Sequence, residues 1–146
     1  RYNLSEDSDM QVEIVTPLGE KYSGEAVAIR AETVAGEVGI LPGHRDMLTA
    51  LGTGACLVQT EAHGDPVRFL LDEGYLQVSQ RGANVIIVTE RAQLPEEIDV
   101  DSARADLSKA KSEFDATTAA VGSAAWLVKR HAVALAEARL SIAGAN

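Results

Sequence analysis

QLPEEIDVDSARADLSKAKSEF, residues 93–114, is where the apolar pattern of the chain changes period. From Val100 onward, Ala103, Leu107, Ala110 and Phe114 follow at steps of three, four, three and four. That spacing places them on a single stripe of an amphipathic helix. Asp99 and Asp101 stand at its start, where a carboxylate caps free N–H groups and suits the helix dipole. Gly122 and Ser123 interrupt the pattern, and a second stripe runs through Ala124, Val128, His131, Leu135, Ala138 and Ile142. Two striped helices of ~25 Å each, joined by a tight glycine turn, predict an antiparallel hairpin. The abundant alanines let the two axes approach closely.

On the other side of that stretch, from Met10 to about Arg91, the period is two. MQVEIV sets Val12 and Ile14 against Gln11 and Glu13, and EAVAIRAE repeats the pattern with Val27 and Ile29. PVRFLLD directs Val67, Phe69 and Leu71 to one face, and YLQVS directs Leu76 and Val78 inward. NVIIVTE is a continuous apolar run, the expectation being a strand covered on both sides. Turn chemistry (PLGE, AHGDP, RGAN) separates these runs. Short strands with no helix between them predict an antiparallel β-sandwich or flattened barrel. The fold class is therefore α+β. Residues 1–9 form a flexible acidic arm, 10–94 the β-sandwich, and 95–146 the helical hairpin.

The 146 residues carry a net charge of −9, with 46% hydrophobic residues, enough for a core. The negative surface argues against nucleic acid and against anionic lipid headgroups, and it favours a protein partner. No apolar run approaches the ~20 residues of a membrane-spanning helix. Cys56, the single cysteine, reads as a small core residue in a reducing compartment. The first residue is Arg1, for which a removed organellar presequence or an artificially shortened chain are both readings.

GEVGILPGHRDMLTAL, residues 36–51, sets glycines, a proline and a histidine among apolar residues. A phosphate cradle would need a lysine after the last glycine, or GxGxxG opening a helix, and neither is present. Zinc would need closely grouped ligands, whereas His44, His63 and His131 are far apart and Cys56 is isolated. GxSxG is absent. Asp72 and Glu73 point to opposite faces of a strand and read as solvated surface charges rather than an acid–base pair. The expectation is no catalytic residue, no metal and no cofactor. A docking loop remains, with His44 near a turn and Met47, Leu48 and Leu51 adding apolar area. By residues alone, a loop that merely crosses the end of the sandwich fits as well.

The run GEVGILPGH-x-x-(Met/Leu)-Leu-Thr-Ala-Leu is similar to the signature of the ε subunit of bacterial F-type ATP synthases, called δ in mitochondria. With QVEIVTPLGEKYSG, LLDEGYLQV and the two-helix tail, the resemblance spans residues 10 to about 142. One departure is Asp46, where the family usually has proline, which would loosen the loop. The resemblance implies a non-catalytic rotor subunit in the central stalk. It would join the γ shaft to the membrane c-ring and couple proton flow to ATP synthesis. His44 matches the family's γ-contacting histidine, and Pro42, Gly43, Met47 and Leu48 belong to the same expected contact. Glu37, with Gly36, matches a residue facing the c-ring.

For the tail, the family offers a structural role or an inhibitory, ATP-sensing one. The ATP pattern is Ile or Leu followed by Asp-x-x-Arg-Ala, and here Val100 precedes Asp101-Ser102-Ala103-Arg104-Ala105. Arg139 matches a further arginine of that site, while Leu135 stands where another would be expected. Asp101 as a helix cap and Arg104 as its surface partner is the simpler expectation. DSARADLSKAKSEF resembles mitochondrial δ subunits. The resemblance thus implies the matrix side of the mitochondrial inner membrane, peripheral through other subunits, with the cytoplasmic side of a bacterial plasma membrane as the alternative. In the mitochondrial case a small ε subunit would clamp the hairpin, with Trp126 and His131 as candidate contacts against ordinary packing within it. A free-standing β-sandwich interaction module, with the hairpin as a dimerisation device, is the other alternative.

Overall fold

The computed structural model describes residues 9–145, so the N-terminal arm expected at 1–9 lies almost wholly outside the described residues. The chain divides into two compact units between Gln93 and Leu94.

The first unit is a sandwich of eight strands: β1 (Met10–Thr16), β2 (Gly19–Ala26), β3 (Ala28–Thr33), β4 (Gly36–Ile40), β5 (Met47–Gln59), β6 (Val67–Ser79), β7 (Asn84–Thr89) and β8 (Ala92–Gln93). Their order is β2-β1-β7-β6-β5-β3-β4, with β8 added beside β6, so the sheet stays unclosed. Alternation does what the sequence predicts in β1, where Met10, Val12 and Ile14 are fully buried. Ile29, Cys56, Val58, Phe69, Leu76, Val78, Val85 and Ile87 complete the centre of the core.

Two expectations need correction. The strands are not all antiparallel, because β1 pairs with β7 in parallel, from Gln11 beside Asn84 to Val15 beside Val88. Each of these strands gives its other edge to its hairpin partner, β2 or β6, and the chain between them serves as the long crossover that parallel pairing requires. NVIIVTE is not covered on both sides, since Ile86 is 40% exposed between buried Val85 and Ile87. The middle of β6 is covered on both sides instead, with Phe69, Leu70, Leu71 and Asp72 all buried.

A kink explains that difference. Pairing between the long strands β5 and β6 skips from Leu51–Gly74 to Thr53–Asp72. Glu73 there has φ of 57° and Gly74 has φ of 122°. The register is the same on both sides of the gap, and a Cβ at Gly74 would lie 1.9 Å from the Val88 carbonyl oxygen, so only glycine lets β7 pair with β6 at this kink.

The second unit contains a short 3₁₀ turn, Pro95–Glu97, then α1 (Val100–Asp115) and α2 (Ala124–Ile142). Asp99, not Asp101, is the cap: its Oδ1 accepts from Ser102 N at 3.1 Å. Ser123 caps α2 by accepting from Trp126 N at 3.3 Å. Phe114 meets Trp126 at a ring-centroid distance of 5.5 Å, and Asp106 meets Arg139 at 2.9 Å. These two contacts fix the helices as antiparallel. The connection runs over residues 116–123, longer than a tight turn.

Along α1 the predicted stripe holds, with Ala103 and Ala110 buried and Val100, Leu107 and Phe114 half-buried. Along α2 it fails in the first turns and holds from His131 onward, with His131, Leu135 and Ala138 half-buried and Ile142 buried. Ala124 is exposed and Val128 is 70% exposed, while Trp126, Lys129, Val133, Ala136 and Leu140, all outside the predicted stripe, are covered. Alanine on nearly every face of α2 left its apolar direction poorly specified by sequence.

Candidate docking surface and the comparisons with known proteins

The loop that joins β4 to β5 carries Pro42, Gly43 and His44, and Met47 and Leu48 follow it at the start of β5. It is held shut by its own backbone: His44 N donates to Leu41 O at 3.0 Å, and Gly43 has φ of 90°. A second anchor comes from the turn between β6 and β7, where Gly43 N donates to Arg81 O at 2.9 Å. Arg81 N in return donates to Asp46 Oδ1 at 3.1 Å. Asp46 therefore ties the loop down where the missing proline was expected to loosen it.

His44 is half-buried, and its Nδ1 lies 2.7 Å from Arg45 O. A carbonyl only accepts, so Nδ1 carries the proton and Nε2 is the nitrogen left as acceptor in the neutral ring. Pro42 is half-buried beside it. Met47 and Leu48 open β5, and Leu48 is 68% exposed.

From Leu48 an apolar band continues across the outer face of the sheet. Leu48 pairs with Gln77, and Gln77 pairs with Ile86. Two residues along, Ala50 pairs with Tyr75 and Tyr75 with Val88. Cross-strand neighbours of this kind share a face. Tyr75 is 49% and Ile86 40% exposed, and Ala50 is exposed as well. Sequence reading missed Ala50, Tyr75 and Ile86. The available signal was their parity: each occupies an outward position of its strand yet is apolar or aromatic.

Gly36 and Glu37 lie apart from this band, on the edge strand β4. Glu37 Oε1 accepts from Arg30 Nη2 at 2.6 Å, with both side chains at least half exposed. The hairpin between β3 and β4 is closed by Thr33 Oγ1, which donates to Gly36 O at 2.6 Å. Val34 at its tip is 73% exposed.

The three residues considered for ATP sensing are not brought together by any contact. Arg139 Nη1 donates to Asp106 Oδ2 rather than to Asp101, and Arg104 stands exposed on α1 with no ion pair to Asp101. Arg139 borders a shallow cleft of about 240 Å³ whose rim also bears Asp106, Lys109, Glu113 and Leu135. Its two carboxylates are matched by two cations, Lys109 and Arg139, so the rim carries no net positive charge to attract a polyphosphate. Trp126 packs on Phe114 and carries Arg130 over its ring at 5.4 Å, so it is engaged within the hairpin, and His131 is half-buried on α2.

Two further sequence expectations concern single groups. Cys56 is completely buried, and burial pushes its thiol up to about 12. Asp72 is not a solvated surface charge. It is buried, its Oδ1 accepts from Thr53 Oγ1 at 2.9 Å, and its N–H donates to Thr89 Oγ1 at 3.2 Å. Nor does strict alternation separate it from Glu73, whose left-handed backbone breaks the strand period.

These features belong to a known architecture. Residues 9–95 match the model of the ATP synthase delta/epsilon chain β-sandwich domain. The chain is 37% identical over 107 residues to the ATP synthase epsilon chain of Brevibacillus brevis, covering 73% of this chain and 79% of that one. It is 39% identical over 118 residues to the epsilon chain of Mycolicibacterium smegmatis, covering 80% and 92%. Among solved structures, a chain of the Euglena gracilis mitochondrial ATP synthase, solved with OSCP, F1 and c-ring, superposes with a TM-score of 0.77 at 22% identity, covering 91% of this chain and 80% of that one. A chain of the central stalk and c-ring of the Tetrahymena thermophila mitochondrial ATP synthase superposes at 0.59 with 17% identity, covering 92% and 96%. At those identities the two structures speak for the fold. With the family model spanning most of the β unit and the named relatives covered over most of their length, the chain belongs to the ATP synthase delta/epsilon chain family.

Proposed function

We propose that this subunit of an F-type ATP synthase is a non-catalytic rotor part of the central stalk, joining the γ shaft to the membrane c-ring. The observation that carries the reading is the exposed apolar band Leu48–Ala50–Tyr75–Ile86, continuous with the pinned His44 loop. A surface of this kind on a chain of net charge −9 is suited to a protein partner, and a shaft is the partner the family offers. In this reading Pro42, Gly43, His44, Met47 and Leu48 meet γ, together with Ala50, Tyr75 and Ile86. Gly36 and Glu37, at the opposite edge of the β5–β3–β4 segment, face the polar loops of the c-ring. The role in this reading is transmission of torque through a stiff sheet. The hairpin is structural in this reading, because Arg139 is committed to Asp106.

Among the described residues no helix is long and apolar enough to cross a membrane. In the proposed reading the chain is held at the membrane by the c-ring. For the compartment, the matrix side of the mitochondrial inner membrane was the sequence expectation. The bacterial origin of the two named relatives favours the cytoplasmic side of a plasma membrane instead. A small clamping subunit on the hairpin belongs only to the mitochondrial version.

The test is capture from detergent-solubilised energy-transducing membranes with the full chain as bait. Recovery of γ and c subunits is expected. Recovery of the chain only with copies of itself would overturn the reading and favour a free-standing module.

A further inference from the structure

We infer that Asp46 and the β6–β7 turn form a lock that holds the His44 loop in its docking shape, with Asp46 the positioning residue. The inference rests on the docking reading above and names how that surface is kept in register. Three observations converge on it. Both backbone groups of Arg81 are used by the loop: its carbonyl accepts from Gly43 N at 2.9 Å, and its N–H donates to the Asp46 carboxylate at 3.1 Å. Gly82 then lies against the loop backbone, and a Cβ there would come to 2.9 Å from His44 N and 3.0 Å from Gly43 N and Leu41 O. Finally, Gln80, Arg81 and Gly82 hold φ of 53°, 55° and 80°. Two consecutive non-glycine residues in the left-handed region persist only where surrounding contacts over-determine them.

The arrangement accounts for the aspartate at a place where the family usually has proline. Proline would stiffen the loop through its own ring, whereas Asp46 stiffens it from outside, through a charge-assisted bond across 35 residues of sequence. Without that bond His44 keeps its local partners, Leu41 O and Arg45 O, but the loop loses its fixed placement beside Leu48.

The experiment pairs hydrogen exchange on the full chain with a binding titration against the purified γ subunit of the same complex. It compares the wild type with Asp46→Ala and Asp46→Asn. Asp46→Ala is expected to speed exchange at the Arg81 and Gly43 amides and to weaken γ binding, each roughly ten-fold. Amides of β7 should be unchanged. Asp46→Asn, which keeps an acceptor oxygen, should recover most of both effects. Unchanged exchange at Arg81 in Asp46→Ala, or faster exchange with γ affinity intact, would overturn the inference. A wild-type chain that shows the exchange pattern but does not bind γ would instead overturn the docking reading and leave the lock standing as a structural device. Gly82→Ala is the second variant: it should loosen the same amides with Asp46 in place, and normal exchange there would also count against the lock.

Discussion

Arg139 and Asp106, 33 residues apart in sequence, join α1 to α2 through one hydrogen-bonded ion pair of 2.9 Å, and they do so unequally. The arginine side chain is 11% exposed and the aspartate 59%. Arg139 Nε is buried without a hydrogen-bond partner. A buried guanidinium that loses its carboxylate is left uncompensated, whereas an apolar replacement of similar length removes the need for one. Asp106→Ala is therefore expected to destabilise the hairpin by about 1 kcal/mol, the exposure of Asp106 keeping the figure modest. Arg139→Met should be near neutral. Denaturant titration followed by helical circular dichroism distinguishes the two, and equal losses would contradict the asymmetry.

ATP is expected not to stabilise that hairpin. Arg139 is engaged with Asp106, Leu135 borders the cleft in place of a second arginine, and Arg104 faces solvent. Calorimetric titration of the full chain with ATP should give no saturable heat up to millimolar ligand. Saturable binding abolished by Arg104→Ala would restore the sensing role.

The direction of the α2 stripe is open to a simple comparison. Ala136 is 2% exposed and Val128 is 70% exposed. Ala136→Asn should cost roughly 2 kcal/mol, through a polar amide forced into the helix interface, and Val128→Asn less than about 0.5 kcal/mol. Comparable losses for the two would return the face to the one read from sequence.

That contrast also shows where the sequence was informative. α1 has isolated large apolar residues between charged ones, so Val100, Leu107 and Phe114 define its buried side without ambiguity. α2 has alanines at 124, 125, 132, 134, 136 and 138, which differ too little from one another to point anywhere. In the β unit, alternation in β1 was legible because its buried Met10, Val12 and Ile14 alternate with polar Gln11 and Glu13, and the hairpin turns were legible by their turn residues. The parallel β1–β7 pairing and the two-residue strand β8 were not, since both depend on contacts distant in sequence. The loop at 36–48 was visible through its own residues. Its anchor on Arg81 and its extension to Tyr75 and Ile86 became visible only through strand register.

Cys56 supplies a pH prediction with a definite sign. Its thiol titrates at about 12 in the folded chain against 9.0 for the exposed group. The folded state thus keeps a proton that the unfolded state releases above pH 9, so stability should fall as pH rises from about 9 toward 12. Below pH 9 Cys56 should contribute no pH dependence. Cys56→Ala should flatten the alkaline decline attributable to this group. At pH 8 the native thiol should resist an aromatic disulfide reagent and react only on unfolding; rapid labelling of the folded chain would contradict its burial.

Gly74 tests the kink that lets β6 bend. Gly74→Ala would bring a methyl against the Val88 carbonyl and force a left-handed backbone on alanine, so a loss of roughly 3 kcal/mol or more is expected. Thermal unfolding measures it, and a shift of only a degree or two would mean that the kink relaxes freely.

The most direct test of the central claim is the affinity of the 146-residue chain for γ when the outer sheet face is altered where no backbone contact changes. Ile86→Asp places a charge at the β7 end of the exposed apolar band while leaving the core neighbours Val85 and Ile87 in place. An affinity for γ at least ten-fold weaker, with an unchanged melting temperature, is the result predicted by docking through this face. Binding within two-fold of the wild type would contradict it.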